Sequence, residues 1–398
     1  MRSLARRPML SALTIVLASI VLCATQITAR DEVRALWVAR TSLSSPQAID
    51  SMVAAAQQSG FNALLVEVRG RGDSYFLNGI EPRPPALTMQ PSFDPLAEAI
   101  AKAHARGLAL HAWININLVA GTTVPGARTH VVYKHPEWLM VPRQIADDVA
   151  GLDPSGPEYL GRLTRYSRQA RDLEGVYLSP ATTGAVEYTA SVVRDVVSRY
   201  AVDGVHFDYV RYPSDDFDYS RETLAAFRKT LPSAALAPGG LQGYPAAYPE
   251  RWREFRTERL TALITALRDA VKRVRPEAPV SLAVTPEPSE AKTRYLQDWT
   301  RWLADGLIDV VCPSPYTTEG AAFASQLAAA QDAAGRHLLW AGIGAHRLSP
   351  EQTLDDIQVA RRLGAAGIVL FSYDTLIAPP RGSGYLSQLG KAAFSPQF

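Results

Sequence analysis

Apolar residues in this chain gather in short runs that alternate with longer stretches where they recur every three or four positions. The short runs predict β-strands at Val33–Ala39, Phe61–Arg69, Leu108–Asn115, Gly204–Tyr209, Val280–Thr285, Ile308–Pro313, Leu338–Gly344 and Gly367–Tyr373. The longer stretches predict helices at Pro46–Ser59, Pro95–Arg106, Glu187–Tyr200, Glu250–Arg275, Leu296–Asp305 and Pro350–Leu363. Several of these close on a glycine that leads into the next strand, as in Ser-Gly-Phe at 59–61, Arg-Gly-Leu at 106–108 and Leu-Gly-Ala at 363–365. Eight strands interleaved with helices predict a (β/α)8 barrel in preference to an open doubly wound sheet. No glycine-rich phosphate fingerprint follows the first strand, which removes the usual dinucleotide role of the open fold. The stretch from about Gly121 to Gly175, rich in Pro, Gly and Asp, predicts a large loop insertion before the fourth strand, on the face where a barrel carries its site.

Alternation along each strand assigns one face to the barrel interior. The second strand then turns Glu67 and Arg69 inward, with Asp73 just beyond. The third turns His111, Trp113 and Asn115. In VDGVHFDYVRYP (202–213) the fourth strand turns Gly204, His206 and Asp208 to one side, and Tyr209 and Arg211 follow. The fifth, VSLAVTPEP, brings Ser281, Ala283, Thr285 and Glu287. The last three supply Ser314 and Tyr316, Trp340 and His346, and Ser372 and Asp374. A barrel that served only structure would fill such positions with aliphatic side chains. Ionisable groups converging on one end need a reason, because burying them is costly.

Composition narrows the candidates. The 398 residues are 47% hydrophobic and 20% charged, with a formal net charge of +2. That balance gives no argument for a nucleic-acid partner. Arg2, Arg6 and Arg7 precede an apolar run from Met9 to Ala24, and a small residue stands at Ala29, so residues 1–30 predict a secretory signal peptide. The expectation is an exported protein, periplasmic or extracellular, with residues 31–398 forming a single domain, no stable membrane span after cleavage, and a monomeric state. Of the two cysteines, Cys23 falls in that leader, so Cys312 alone remains and no intramolecular disulfide is expected.

The convergent carboxyl groups suggest glycoside hydrolysis. One carboxyl group stays protonated to donate to the leaving oxygen, and a second, ionised one acts as nucleophile or as base for a water. Asp208, with Arg211 and Arg69 in reach, is expected to be held ionised. Glu287, between two prolines and without a neighbouring cation, is the expected acid, with Glu67 and Asp73 as the other candidates. Trp113, Trp340, Tyr209 and Tyr316 are candidate platforms for sugar rings, and Glu67, Arg69, Asp73, His111, Asn115, His206, Arg211, His346 and Asp374 are further candidate substrate contacts. No cofactor is implied. Two other readings stay open: a metal-dependent polysaccharide hydrolase or deacetylase using His111, His206, His346 and Asp208, and a glycan-binding barrel without catalysis. No two of the histidines have His-x-His or His-x-x-x-His spacing.

The blocks VDGVHFDYVRYP, EVRALWV near the start, FNALLVEVRGRGDSYF and QDWTRWLADGLIDVVCPSPY resemble the glycosyl-hydrolase-like 10 family. The resemblance runs from about Glu32 to about Leu376. It implies an exported (β/α)8 hydrolase acting on polysaccharide, some members being similar to enzymes that trim peptide-free peptidoglycan glycan strands. It also places the family's aspartate at Asp208 and its second-strand block at Arg69 and Asp73.

Overall fold

The computed structural model describes residues 32–379, 381–382 and 384–394. The predicted signal peptide lies outside the described residues. From Val33 onward the chain forms one compact unit.

The strands are β1 (Val33–Val38), β2 (Ala63–Arg69), β3 (Ala109–Asn115), β4 (Leu118–Ala120), β5 (Val176–Tyr177), β6 (Gly204–Asp208), β7 (Val280–Val284), β8 (Val310–Pro313), β9 (Leu338–Ile343) and β10 (Gly367–Leu370). Eight of them close into a parallel barrel in the order β1-β10-β9-β8-β7-β6-β3-β2, which is the predicted (β/α)8 architecture. The helices begin where the local chemistry directs. Ser45, Asp94 and Ser349 each stand just before a proline and accept a backbone N–H from the first turn of the helices at 46–58, 95–105 and 350–362. Gly107 takes a left-handed conformation (φ 70°) between the second of these helices and β3, a bend that a Cβ would disfavour.

The last predicted strand ends early. After Leu370 the chain turns into a short helix, Tyr373–Ile377, capped by Ser372, so Asp374 belongs to that helix. The stretch expected as a loop at 121–175 carries structure of its own, including the helix Pro157–Gln169, and is bracketed by β4 and β5, which pair antiparallel. Tyr159, Leu160 and Leu163 are buried on one side of that helix. They join a second hydrophobic core that also includes Leu224, Phe227, Trp252 and Phe255 from the segment after β6. The two excursions are pinned at the buried Asp218. Its carboxylate accepts the Val141 N–H (2.8 Å), the Ser220 N–H (2.9 Å) and the Thr223 hydroxyl (2.6 Å).

The barrel interior has two depths. Ala35, Leu65, Val310, Cys312, Val369 and Trp340 pack the lower part as an apolar cluster. The upper part, at the C-terminal ends of the strands, opens into a cleft. Among the described residues no helix is long and apolar enough to cross a membrane.

Candidate active site

The cleft floor is set by strand register. Glu67 on β2 pairs with Trp113 on β3, and Asn115 on β3 pairs with Asp208 on β6, so four functional side chains share adjacent strand ends. Glu67 is almost fully buried (3% exposed) and accepts three donors: Arg40 Nη1 at 2.6 Å, the Arg40 backbone N–H at 3.1 Å and Asn115 Nδ2 at 2.9 Å. Burial raises its carboxyl above the ordinary value, while the adjoining Arg40 guanidinium works in the opposite direction.

Asp208 ends β6 and receives one backbone donor, the Tyr209 N–H at 2.7 Å. Its carboxyl is raised to about 6, chiefly by burial; Arg211 and the Tyr209 N–H oppose the rise, and Glu174 and Glu67 add to it. A half-buried acid that is still protonated in mildly acidic water is a proton donor. Tyr209 sits at φ 54°, a conformation unusual for a tyrosine, and its hydroxyl donates to Glu174. Glu174 belongs to the excursion, just before β5. Arg71 (3.7 Å) and Arg211 (3.9 Å) flank its carboxylate, and the Arg211 guanidinium lies 4.9 Å from the centre of the Tyr209 ring.

Around these groups the cleft encloses about 650 Å³. Of the residues expected from sequence, Asp208, Glu67, Trp113, Asn115, Tyr209, Arg211, Ala283, Thr285, Ser314, Tyr316 and His346 line it. The others lie elsewhere, for identifiable reasons. Arg69 is fully buried behind the floor, where it pairs with Glu81 (2.7 Å) and donates to the Asn115 and Ile116 carbonyls. It therefore braces β3 and does not hold Asp208 ionised. Asp73 accepts the Gly70 and Arg71 N–H groups and shapes the turn after β2. Asp374 accepts from the Ala39 N–H (2.6 Å) and from the Thr41 and Ser42 hydroxyls, which ties the loop after β1 to the end of β10. Glu287 is exposed and caps the helix Pro288–Arg294, accepting the N–H groups of Ser289 and Glu290. It points along the helix and is not part of the cleft wall, so the carboxyl pair cannot be read as Asp208 with Glu287.

His111, His206 and Trp340 face inward but one layer too low. The Trp37 indole donates to His206 Nε2 at 3.1 Å, so Nδ1 carries the proton and meets Ser281 Oγ at 2.9 Å. Burial lowers His206 to about 3 and His111 to about 4, so both are neutral packing groups. His111 fits because Gly204 lies opposite it: a Cβ there would come within 2.5 Å of the imidazole. His346 sits at the rim, edge-on to Tyr316 and Phe371. Among the described residues no three His, Cys, Asp or Glu side chains are grouped to hold a metal ion.

This arrangement of carboxyl groups above strand ends is joined by a sequence match. Residues 32–341 match the family described as glycosyl hydrolase-like 10. The chain belongs to that family. Glycosyl hydrolase DigH of Escherichia coli (strain K12) is 25% identical over 294 residues, 65% of this chain and 55% of that protein. Glycosyl hydrolase YngK of Bacillus subtilis (strain 168) is 22% identical over 333 residues, 73% of this chain and 55% of that protein. The chain thus spans about half the length of the curated relatives it matches. Among solved structures, the PgaB (BpsB) glycoside hydrolase domain from Bordetella bronchiseptica aligns with a TM-score of 0.62 at 16% identity, covering 89% of this chain and 98% of that one. The catalytic domain of β-amylase from Paenibacillus polymyxa aligns at 0.60 with 11% identity, covering 92% and 98%. At these identities the likeness concerns the barrel itself.

Several residues of the glycosyl hydrolase-like 10 cleft escaped the alternation rule. Arg40, Arg71 and Glu174 lie in loops beyond the strands, where period-two patterning says nothing. Trp37 does lie on a strand, β1, and alternation points it inward beside Glu67's neighbours. Glu290 and Tyr295 reach the cleft from the segment after β7. The signal available for Arg71 and Glu174 was the charge in their loops, Arg-Gly-Arg-Gly-Asp at 69–73 and Asp-Leu-Glu at 172–174.

Proposed function

We propose that the chain is an exported glycoside hydrolase that cleaves a polysaccharide, with peptide-free glycan strands of the bacterial cell wall as the substrate to test first. The observation that carries this reading is Asp208: a carboxyl raised to about 6 on the floor of an open cleft that a second carboxyl group, Glu174, also lines. In this reading Asp208 gives its proton to the glycosidic oxygen as the bond from the anomeric carbon to that oxygen breaks. Glu174 is the partner. It accepts from the Tyr209 hydroxyl and is flanked by Arg71 and Arg211, and its exposure leaves it able to meet a substrate or take the proton of an attacking water. Glu67 is less suited, because Arg40 and Asn115 already engage both its oxygens. The rings of Trp37, Tyr209, Tyr295, Tyr316 and Phe371 supply apolar faces of the kind sugars pack on. Membership of the glycosyl hydrolase-like 10 family and the likeness to the glycosyl hydrolases DigH and YngK support the same class of chemistry.

The test is turnover by Asp208→Asn and Glu174→Gln on a panel of polysaccharides and on an aryl glycoside with a highly activated leaving group. Asp208→Asn should lose the natural polysaccharide far more than the aryl glycoside, because the activated group needs little protonation. Glu174→Gln should lose both. Sugar binding by the wild type without any turnover would favour the glycan-binding alternative. Turnover that disappears with a chelator and returns with zinc would favour the metal-dependent one.

A further inference from the structure

Two buried polar atoms of residues that line the cleft have no protein partner among the described residues: the Trp113 indole Nε1 and the Asn115 side-chain Oδ1. Both residues are more than nine-tenths buried, at 5% and 1% exposure, and both line the cleft. Interior polar groups are nearly always hydrogen-bonded, so two orphans side by side on one strand face ask for an external partner. They stand two positions apart on β3 and face the same way, next to Asp208.

Their chemistry is fixed by what surrounds them. The Asn115 amide cannot usefully flip, because Nδ2 donates to Glu67 Oε1 (2.9 Å) and to the Gly70 carbonyl (3.0 Å). Oδ1 is therefore an acceptor only, and an indole N–H is a donor only. The site offers one hydrogen to an incoming oxygen and one lone pair to an incoming O–H or N–H. A carboxylate or an ether oxygen could meet the indole but would leave Oδ1 bare. Sugar hydroxyls meet both.

We propose that Trp113 Nε1 and Asn115 Oδ1 are the specificity pair of the cleft, holding unsubstituted hydroxyls of the sugar unit seated against Asp208. This assignment rests on the glycosidase reading and adds to it which face of that sugar is read. It also revises the role of Trp113. With its ring almost wholly buried against the floor, it acts through its edge and not as an open stacking platform. A third orphan, His111 Nδ1, lies below the floor and does not line the cleft, so it takes no part.

Two measurements test the pair. In the full chain labelled with ¹⁵N-tryptophan, the Trp113 indole resonance, identified by its loss in Trp113→Phe, should move saturably as glycerol, and then glucose, is added. The same titration of Asp208→Asn should give the same movement, since that variant leaves the pair in place. Trp113→Phe, which removes the N–H and keeps a ring, should lower kcat/KM on the polysaccharide by about three- to tenfold, the worth of one hydrogen bond, with the melting temperature unchanged or raised. A resonance that does not move with either polyol overturns the proposal, and so does a Trp113→Phe variant that turns over like the wild type. A wild type that hydrolyses nothing while its resonance still moves would overturn the hydrolase reading and leave the pair standing.

Discussion

The upper and lower halves of the barrel interior are built from the same strands, yet they treat polar groups in opposite ways. Below, His206 has both nitrogens engaged, while His111 nests over Gly204 with its Nδ1 unpaired. Both are neutral, and both sit among apolar side chains. Above, one or two residues further along the same strands, Asp208 carries a carboxyl raised to about 6 and β3 leaves two polar atoms unpaired. The lower groups are neutral and packed, whereas the upper ones include a carboxyl whose proton is held into mildly acidic water.

The sharpest way to break this contrast is to change one residue at each depth of β6. Asp208→Asn should cost at least about a thousandfold in turnover, as expected for a group that acts in the transition state, while the protein remains folded. His206→Phe should do the reverse. It leaves the Trp37 indole without a partner, which costs about 1–3 kcal/mol in unfolding free energy, while the Ser281 hydroxyl keeps its bond to the Val205 carbonyl. The residual folded fraction should keep most of its activity. A denaturation midpoint and a kcat for each variant decide the matter, and equal effects on both quantities would erase the distinction.

Arg69 extends the comparison behind the floor. Arg69→Met strands the buried Glu81 carboxylate and should destabilise the fold by about 3–5 kcal/mol, measured by urea unfolding. The basic limb of the pH–rate profile should stay put, because Arg69 contacts β3 carbonyls and not Asp208.

Arg211 is different, since it opposes the rise in Asp208. Arg211→Met should carry the basic limb of kcat/KM, where the proton donor is lost, upward by about one pH unit. The same group leaves a mark on stability. Between the ordinary aspartate value and about 6 the folded protein keeps a proton that the unfolded chain has released, so stability declines as pH rises through that window. Asp208→Asn should flatten the decline, with its largest gain in melting temperature above pH 6 and little change at pH 4.

The smallest effect is expected at Glu287. Glu287→Ala removes a helix cap and should cost about 1 kcal/mol, with kcat unchanged. A collapse of kcat would return Glu287 to the site.

The closed barrel was legible because alternation, proline-led helix starts and glycine stops act over a few residues each. Alternation also gave the correct face for Glu67, Asn115 and Asp208. It could not give depth: His111 and Asn115 share a face of β3, yet only Asn115 lines the cleft. Nor could it give capping. The Pro-Glu-Pro turn that made Glu287 look like a rigid acid is a helix start, and the carboxylate serves its N–H groups. Glu174 was hidden for another reason: its place in the cleft depends on how the 121–175 stretch folds, and Pro, Gly and Asp content masked the apolar spacing of Tyr159, Leu160 and Leu163.

Asp218 gathers donors from both excursions, so the two yield or hold as one piece. The floor is written in short strands with fixed register, the excursions in two long segments that answer to a single carboxylate. In evolutionary terms the two can drift at different rates. Insertions and deletions in either excursion can reshape the surface beside the barrel mouth, provided the Asp218 clasp survives, while the cleft residues carried by the strands stay in place.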